Sequence, residues 1–134
     1  MTLLVDTSVW SLAFRRDAPP DIPEVLMLRR VLSGQEDVVT MGVVLLEVLR
    51  GFLPSSAGQV LTELLAWVPL LEPGRDDYIA AAELSNACRR AGVQLATIDA
   101  MIAQMAIAHD VTLLTTDRDF THAAAHVPLR LWKP

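Results

Sequence analysis

The sequence has few of the features that cross-link a chain, anchor it in a membrane or target it for export. Its single cysteine, Cys88, cannot form an internal disulfide bond, and no Cys/His pair has the spacing of a zinc site. No signal segment follows Met1, and no apolar run approaches the length of a membrane span. We therefore expect a cytoplasmic protein with no membrane contact.

Three common catalytic and nucleotide-binding motifs are also missing. The sequence contains no Gly-x-Ser-x-Gly nucleophile elbow, no Gly-x₄-Gly-Lys phosphate loop and no Gly-x-Gly-x-x-Gly turn. Their absence argues against a serine hydrolase and against the two nucleotide-binding classes that these glycine-rich turns mark. The three histidines, His109, His122 and His126, are scattered and are interpreted as ordinary surface or helix-end residues.

Lysine is almost absent as well. The cations are ten arginines and Lys133, and the formal net charge is −5, which argues against a protein that coats DNA. Arginine is the better bidentate partner for phosphate, although a compositional bias toward arginine is a competing explanation. The acidic excess is either solvated surface or, in part, a cluster that binds metal.

The apolar residues, 52% of the chain, are arranged as alternating strands and helices. Strands are predicted at 3–5, 37–41, 68–71, 111–116 and 129–132, with 68–71 at a sheet edge because it contains Pro69. Helices are predicted at 9–14, 24–32, 42–52, 59–67, 76–91, 97–109 and 117–125. This alternation predicts an α/β fold with a central parallel sheet of about four to five strands covered on both faces. No repeat or linker divides the chain, so residues 1–134 are expected to form one domain.

Four acidic residues occupy equivalent positions in this predicted fold: Asp6, Glu47, Asp99 and Asp117. Asp6 and Asp117 each follow a strand, whereas Glu47 and Asp99 lie near the starts of helices. Because the carboxyl ends of parallel strands share one sheet edge, these carboxylates are expected to meet there. The competing explanations are helix caps, a Glu47–Arg50 ion pair and, for Asp99, an ordinary first-turn acid.

The sequence around these acids gives further local expectations. Thr7 or Ser8 is expected to cap the helix that follows Asp6, and Thr97 the helix that carries Asp99. The latter helix is expected to bury four apolar residues on one face, Ile98, Met101, Ile102 and Met105, while Ala103 and Ala106 allow close approach to a neighbour. Clustered carboxylates raise one another's pKa values unless a cation neutralises them. All-oxygen ligation suits Mg²⁺ or Mn²⁺.

Four segments in this order resemble the PIN domain family, and in particular the VapC toxins of bacterial toxin–antitoxin pairs. They are Leu-Val-Asp-Thr-Ser at the start, Glu47 after the second strand, Thr-Ile-Asp-Ala-Met-Ile-Ala at 97–103 and Leu-Leu-Thr-Thr-Asp-Arg-Asp-Phe at 113–120. The resemblance spans almost the whole chain and implies a PIN-like three-layer α/β/α fold. It also implies a Mg²⁺- or Mn²⁺-dependent endoribonuclease toxin that cuts tRNA or rRNA and so blocks translation. Its implied partners are a VapB-type antitoxin and a second copy of the chain, giving a homodimer within a toxin–antitoxin hetero-oligomer.

The resemblance assigns roles residue by residue. Asp6 and Asp99 are the first expected metal ligands, and Glu47 and Asp117 complete the acidic catalytic site. Thr7 and Ser8 are expected to support that site, and Thr116 to help orient phosphate or water. The role of Asp119 is left open because it matches a more variable position. Separately from the resemblance, four arginines are expected to flank the acidic edge and contact RNA phosphates, because they are placed just after the acidic strand ends: Arg15, Arg16, Arg50 and Arg118.

Two other classes of protein are considered beside the nuclease. The main alternative is a catalytically silent PIN-fold interaction module, against which the complete acidic set argues. A phosphatase of the haloacid type would need a second Asp where Ser8 stands, and a phospho-receiver would need a late lysine, whereas the only lysine is Lys133. Five apolar residues are expected either in the core or on partner surfaces: Trp10, Phe14, Phe52, Leu53 and Trp67.

Overall fold

A four-stranded parallel sheet forms the centre of the protein, as seen in a computed structural model that describes residues 1–15 and 17–134. Its strands are β1 (Thr2–Val5), β2 (Asp37–Met41), β3 (Leu70–Leu71) and β4 (Thr112–Leu114). They lie in the order β3-β2-β1-β4 and all pair in parallel. Leu3, Leu4 and Val5 of β1 are fully buried, as expected for a strand covered on both faces. The sheet confirms the predicted α/β class.

Seven helices alternate with these strands in the described part of the chain. They are α1 (Thr7–Phe14), α2 (Pro23–Leu32), α3 (Gly42–Phe52), α4 (Ser56–Leu65), α5 (Arg75–Arg90), α6 (Thr97–Ala108) and α7 (Arg118–Ala124). The helices and the sheet form three layers, in which α1 packs against α2 and α3, and α5 packs against α6. Among the described residues, no helix has the length and apolar character needed to cross a membrane.

The position of β1 determines where side chains can converge. β1 pairs with β2 on one side and with β4 on the other. Along the chain, β2 and β3 are added on one side of β1, and β4 is then added on the other side. In open parallel sheets, the carboxyl ends of the strands at such a switch point form a crevice. Asp6, directly after β1, lies at this crevice.

Several local expectations differ from the structure. The N-caps of α1 and α6 are Asp6 and Ala96, so the predicted capping by Thr7, Ser8 or Thr97 is wrong. The Asp6 carbonyl already accepts from the Val9 N–H at 3.1 Å, which places the two hydroxyl residues inside the first helical turn. The predicted strand at 129–132 is reduced to a single parallel bridge between Leu113 and Leu131, whereas β3 lies at the sheet edge as expected.

The core is otherwise close to expectation. Met101, Ile102 and Met105 of α6 are buried, as are Ala103 and Ala106. The burial predicted for Ile98 is wrong, because its side chain lines an open groove between α5, α6 and β3 and remains 36% exposed. Of the five apolar residues considered for partner surfaces, Trp10 is fully buried and Phe14 and Phe52 pack partly against the core, whereas Leu53 and Trp67 are exposed.

Candidate metal centre

A cleft of about 550 Å³ opens at the carboxyl edge of the sheet. Its lining brings together all four acids singled out in the sequence with two neighbouring hydroxyl residues: Asp6, Thr7, Ser8, Glu47, Asp99 and Asp117. These residues come from the β1–α1 junction, from α3, from α6 and from the β4–α7 junction. Positions as distant as 6 and 117 meet because their strands are adjacent and parallel.

Asp6 is the most deeply placed of these acids, with 5% of its surface exposed. Its Oδ2 atom accepts two hydrogen bonds, one from Ser8 Oγ and one from Thr115 Oγ1, each at 2.8 Å. A buried carboxylate needs such donors because burial removes the water that would otherwise solvate it. The two hydroxyls therefore help to hold a charged group at the base of the cleft.

Glu47 lies on the opposite wall, one and a half turns into α3. Its Oε1 atom accepts a hydrogen bond from Thr7 Oγ1 at 3.2 Å, which links α3 to the start of α1. No ion pair joins it to Arg50 within the part of the chain that the structure describes. The surface ion pair considered as a competing explanation for Glu47 is therefore absent among these residues, and the half-buried carboxylate is directed to the cleft instead.

Asp99 shows most clearly how the acids influence one another. The pKa of its carboxyl is raised from 3.8 to about 6, and burial is the largest cause. Neighbouring negative charges also raise this pKa, in the order Asp6, Asp117, Glu47 and Asp119. A first-turn position at the positive end of a helix dipole would favour the ionised form, so burial and the cluster outweigh the helix. The ionised form of Asp99 is therefore disfavoured first by burial and then by the neighbouring carboxylates.

Asp117 and Asp119 complete the acidic wall. One oxygen of each, together with one of Asp99, forms a group of three atoms that lie within 4.8 Å of one another. Asp117 also caps α7 by accepting from the Asp119 N–H through Oδ1 at 2.9 Å. The three atoms that could bind a metal are all carboxylate oxygens, and oxygen ligands are those that Mg²⁺ and Mn²⁺ prefer. The residues present therefore fit a hard divalent cation, and Asp119, whose role the sequence left open, is among them.

Among the described residues, three of the arginines expected around the acidic edge do not line the cleft itself. Arg15, Arg50 and Arg118 are all exposed, at the end of α1, near the end of α3 and at the start of α7. Arg16 lies outside the described residues. The backbone N–H of Thr116, the other supporting residue, donates to Ser8 Oγ at 3.2 Å.

Sequence reasoning overlooked Thr115. Its hydroxyl donates to Asp6, and its Oγ1 accepts from the Asp117 N–H at 3.0 Å. The signal that identifies it is the register of the sheet, because Val5 pairs with Leu114 and the following residues, Asp6 and Thr115, therefore stand side by side. The sequence places a threonine after β4 but does not fix this register.

Comparisons with known proteins identify the family of the chain. Residues 3–126 match the family model described as PIN domain. The chain belongs to the PIN domain family. No curated protein sequence matches the chain.

Several solved structures share the fold over nearly their full length. FitAcB from Neisseria gonorrhoeae is 23% identical, with a TM-score of 0.72 over 98% of this chain and 97% of that one. VapBC2 from Rickettsia felis, bound to a DNA fragment from its promoter, is 20% identical, with a TM-score of 0.76 over 99% and 100%. VapC20 from Mycobacterium tuberculosis, a sarcin–ricin loop cleaving toxin, is 20% identical, with a TM-score of 0.66 over 96% and 98%. At these identities the likeness establishes the fold that this PIN domain shares with them.

Proposed function

We propose that the whole 134-residue chain is a single PIN domain acting as a Mg²⁺- or Mn²⁺-dependent endoribonuclease, the toxin of a toxin–antitoxin pair. The observation that carries the proposal is the convergence of the four acids on one cleft, with the pKa of Asp99 raised to about 6. Carboxylates that repel one another are poorly suited to a purely structural role, because they destabilise the fold without a cation. A silent interaction module would have no need of this arrangement.

The cleft residues divide into two proposed roles. Asp6, Asp99 and Asp117 would hold the cation, and Asp119 is near enough to Asp99 and Asp117 to join them. A bound divalent cation supplies positive charge for the scissile phosphate and lowers the pKa of a bound water. Asp6 and Glu47 both lie outside the group formed by Asp99, Asp117 and Asp119, but Oδ1 of Asp6 accepts no hydrogen bond from a described residue, whereas Thr7 donates to one oxygen of Glu47. Its second oxygen is thereby available to orient the attacking water and accept a proton.

The proposed substrate is a tRNA or rRNA, whose cleavage would block translation in the cytoplasm. The support is the shared fold with VapC20, which is described as a sarcin–ricin loop cleaving toxin. Purified protein should cut total tRNA or rRNA in Mg²⁺ or Mn²⁺ and stop when EDTA is added. RNA that stays intact with either metal, while the antitoxin still binds, would favour the silent interaction module. Sequencing the new 5′ ends after induction in cells would identify the RNA.

Because the protein carries a net negative charge, its contacts with RNA phosphates are proposed to come from a few exposed arginines. In an Asp99→Asn background that prevents cleavage, Arg15→Ala with Arg118→Ala should weaken RNA binding. The slope of log K for RNA binding against log salt concentration should fall in magnitude by about 1 to 2. Each phosphate contact to single-stranded RNA adds roughly 0.7 to that slope. Arg75→Ala with Arg90→Ala on α5 removes the same charge elsewhere and serves as the control. If the two double variants lost RNA affinity equally, the RNA contacts would not be localised to Arg15 and Arg118.

Two exposed apolar surfaces are proposed for the two partners. Val60 on α4 and Trp67 just beyond its end are 58% and 88% exposed, which suits contact with the apolar face of an amphipathic segment of a VapB-type antitoxin. The groove of about 700 Å³ beside the cleft is lined by Leu46, Tyr78 and Ile98, and is proposed to seat a second copy of the chain. The shared fold with VapBC complexes supports a toxin–antitoxin hetero-oligomer.

The two surfaces can be tested separately. Trp67→Ser should weaken antitoxin capture while leaving the homodimer intact by light scattering, because the two surfaces share no lining residue. Leu46→Glu should give a monomer at micromolar concentration and retain antitoxin capture, because it introduces a charge into the apolar groove. A wild-type protein that is monomeric and binds no co-encoded small protein would contradict both assignments.

A further inference from the structure

The hydrogen bonds around Asp6 form a closed arrangement that joins two chain segments more than a hundred residues apart. On one side the Thr116 N–H donates to Ser8 Oγ, and Ser8 donates to Asp6 Oδ2. On the other side the Asp117 N–H donates to Thr115 Oγ1, and Thr115 donates to the same Oδ2. The β1–α1 junction and the β4–α7 junction are therefore tied together through a single carboxylate oxygen.

The directions of these bonds follow from what each group can donate. A hydroxyl has one proton, and each of these two hydroxyls already accepts from a backbone N–H. Their protons are thereby directed to Asp6, at 2.8 Å, in preference to each other, since Ser8 Oγ and Thr115 Oγ1 lie 3.5 Å apart. A hydrogen bond to a charged acceptor is also the stronger of the two.

The two oxygens of Asp6 consequently have different surroundings. A carboxylate oxygen has about two lone-pair positions, and both positions of Oδ2 are filled by the hydroxyls. Oδ1 accepts no hydrogen bond from any residue that the structure describes. Only Oδ1 is then free to act as a ligand, so Asp6 can bind a cation through one oxygen but not through both.

We propose, building on the proposed metal-dependent function, that Ser8 and Thr115 are positioning residues that restrict Asp6 to monodentate ligation and fix Asp117 relative to it. This restriction matters for cation choice. Mg²⁺ needs near-octahedral coordination with short, single-oxygen contacts, whereas Ca²⁺ takes six to eight oxygens and readily accepts a carboxylate through both. Holding Oδ2 in hydrogen bonds therefore selects for Mg²⁺ and against Ca²⁺.

The test compares Mg²⁺, Mn²⁺ and Ca²⁺ affinities of the full chain by calorimetry, without RNA. Thr115→Val removes the hydroxyl at nearly constant shape, and Ser8→Ala removes the other one. Each should weaken Mg²⁺ and Mn²⁺ binding about 10–100-fold, as is usual when a group supporting a ligand is lost. Ca²⁺ binding should weaken less, so that the Mg²⁺/Ca²⁺ affinity ratio falls several-fold or more. Thr115→Ser keeps the hydroxyl and should therefore have the wild-type metal affinities and the wild-type Mg²⁺/Ca²⁺ affinity ratio.

Thr112→Val is the matched control, because Thr112 lies on β4, the strand that Thr115 directly follows, and its side chain makes no hydrogen bond with a described residue. It should leave all three affinities unchanged. The proposal is overturned if Thr115→Val and Ser8→Ala bind Mg²⁺ within twofold of wild type, or if Mg²⁺ and Ca²⁺ affinities fall equally. If Thr115→Val fails to fold, Ser8→Ala alone tests the proposal, because it also removes a hydrogen bond to Asp6 Oδ2.

The outcomes also separate this proposal from the proposed function. A wild-type protein that binds metal and cuts RNA, with both variants unchanged in affinity, would overturn only the positioning roles. A wild-type protein that binds Mg²⁺ with the expected ratio but cuts no RNA would overturn the nuclease and keep the positioning roles. A wild-type protein that binds none of the three cations would overturn both.

Discussion

Asp99→Asn is expected to abolish RNA cleavage and, at the same time, to make the metal-free protein more stable at neutral pH. Loss of a metal ligand removes several kcal/mol of charge stabilisation in the transition state, which corresponds to at least about a hundredfold in rate. The same substitution removes a charge that burial disfavours and that four neighbouring carboxylates repel. Allowing for solvent screening at this half-exposed side chain, the gain in the free energy of unfolding is about 1 kcal/mol, or roughly 3–5 °C in Tm.

The pH dependence of this gain has a defined sign. The pKa of Asp99 is about 6 in the folded protein, against an ordinary value of 3.8. Between these values the folded state binds more protons than the unfolded state, so the wild-type free energy of unfolding falls as pH rises from about 4 to about 6. The amide introduced by Asp99→Asn does not titrate. The variant should therefore gain stability over wild type at pH 7.5, and most of this difference should be lost at pH 4.

Asp76→Asn provides the control for this prediction. Asp76 is an exposed acid in the first turn of α5, a position comparable to that of Asp99 in α6. Its replacement should cost roughly 0.3–1 kcal/mol of helix-dipole interaction and leave cleavage intact. Thermal melts in EDTA at pH 7.5 and pH 4 give the comparison. If Asp99→Asn melted below wild type at pH 7.5, Asp99 would be an ordinary first-turn acid and not part of a repelling cluster.

Addition of Mg²⁺ or Mn²⁺ should produce the second large effect, a rise in thermal stability. Binding to the folded state alone adds RT ln(1 + [L]/Kd), which is about 2.7 kcal/mol at one hundred times Kd. For a chain of 134 residues this corresponds to roughly 10 °C in Tm. Asp99→Asn should lose most of this rise in Tm, because Asp99 lines the cleft. Asp76→Asn should keep the rise, because Asp76 does not line the cleft.

The metal effect should also depend on pH. Protons compete with a cation for carboxylate ligands, and the pKa of Asp99 is about 6. Metal binding and the associated rise in Tm should therefore be weaker at pH 5 than at pH 7.5. Melts with a fixed Mn²⁺ concentration at the two pH values measure this directly. A rise of the same size at both pH values, or in both wild type and Asp99→Asn, would indicate that the cation binds elsewhere.

The order of elements and the convergence of acids could be predicted because both depend on local patterns and on one topological rule. The β-branched run at 37–41 and the apolar run at 111–116 indicate strands without knowledge of the rest of the chain. Parallel strands then bring their carboxyl ends to one edge, which places Asp6 and Asp117 at the same edge, and the adjacency of β1 and β4 in the structure brings them together. The family resemblance added the expectation of a ribonuclease.

The details that sequence could not provide depend on register and on three-dimensional neighbours. Thr115 bonds to Asp6 only because Val5 pairs with Leu114. Thr7 and Ser8 look like caps in sequence, but the helix already begins at Thr7, and their hydroxyls reach Glu47 and Asp6 instead. Ile98 follows the apolar period of α6 and is nevertheless partly exposed, because the groove beside it has no described segment covering it.

The most direct measurement of the metal centre is a crystal structure with saturating Mn²⁺, analysed by anomalous scattering at the manganese edge. We expect the strongest peak in the cleft, at roughly 2.0–2.6 Å from carboxylate oxygens of Asp6 and Asp99, with Asp6 contributing Oδ1 alone. The peak should be lost in crystals of Asp99→Asn. A wild-type cleft without manganese at saturating concentration, or an equally strong peak in Asp99→Asn, would contradict the assignment of these carboxylates as a metal centre.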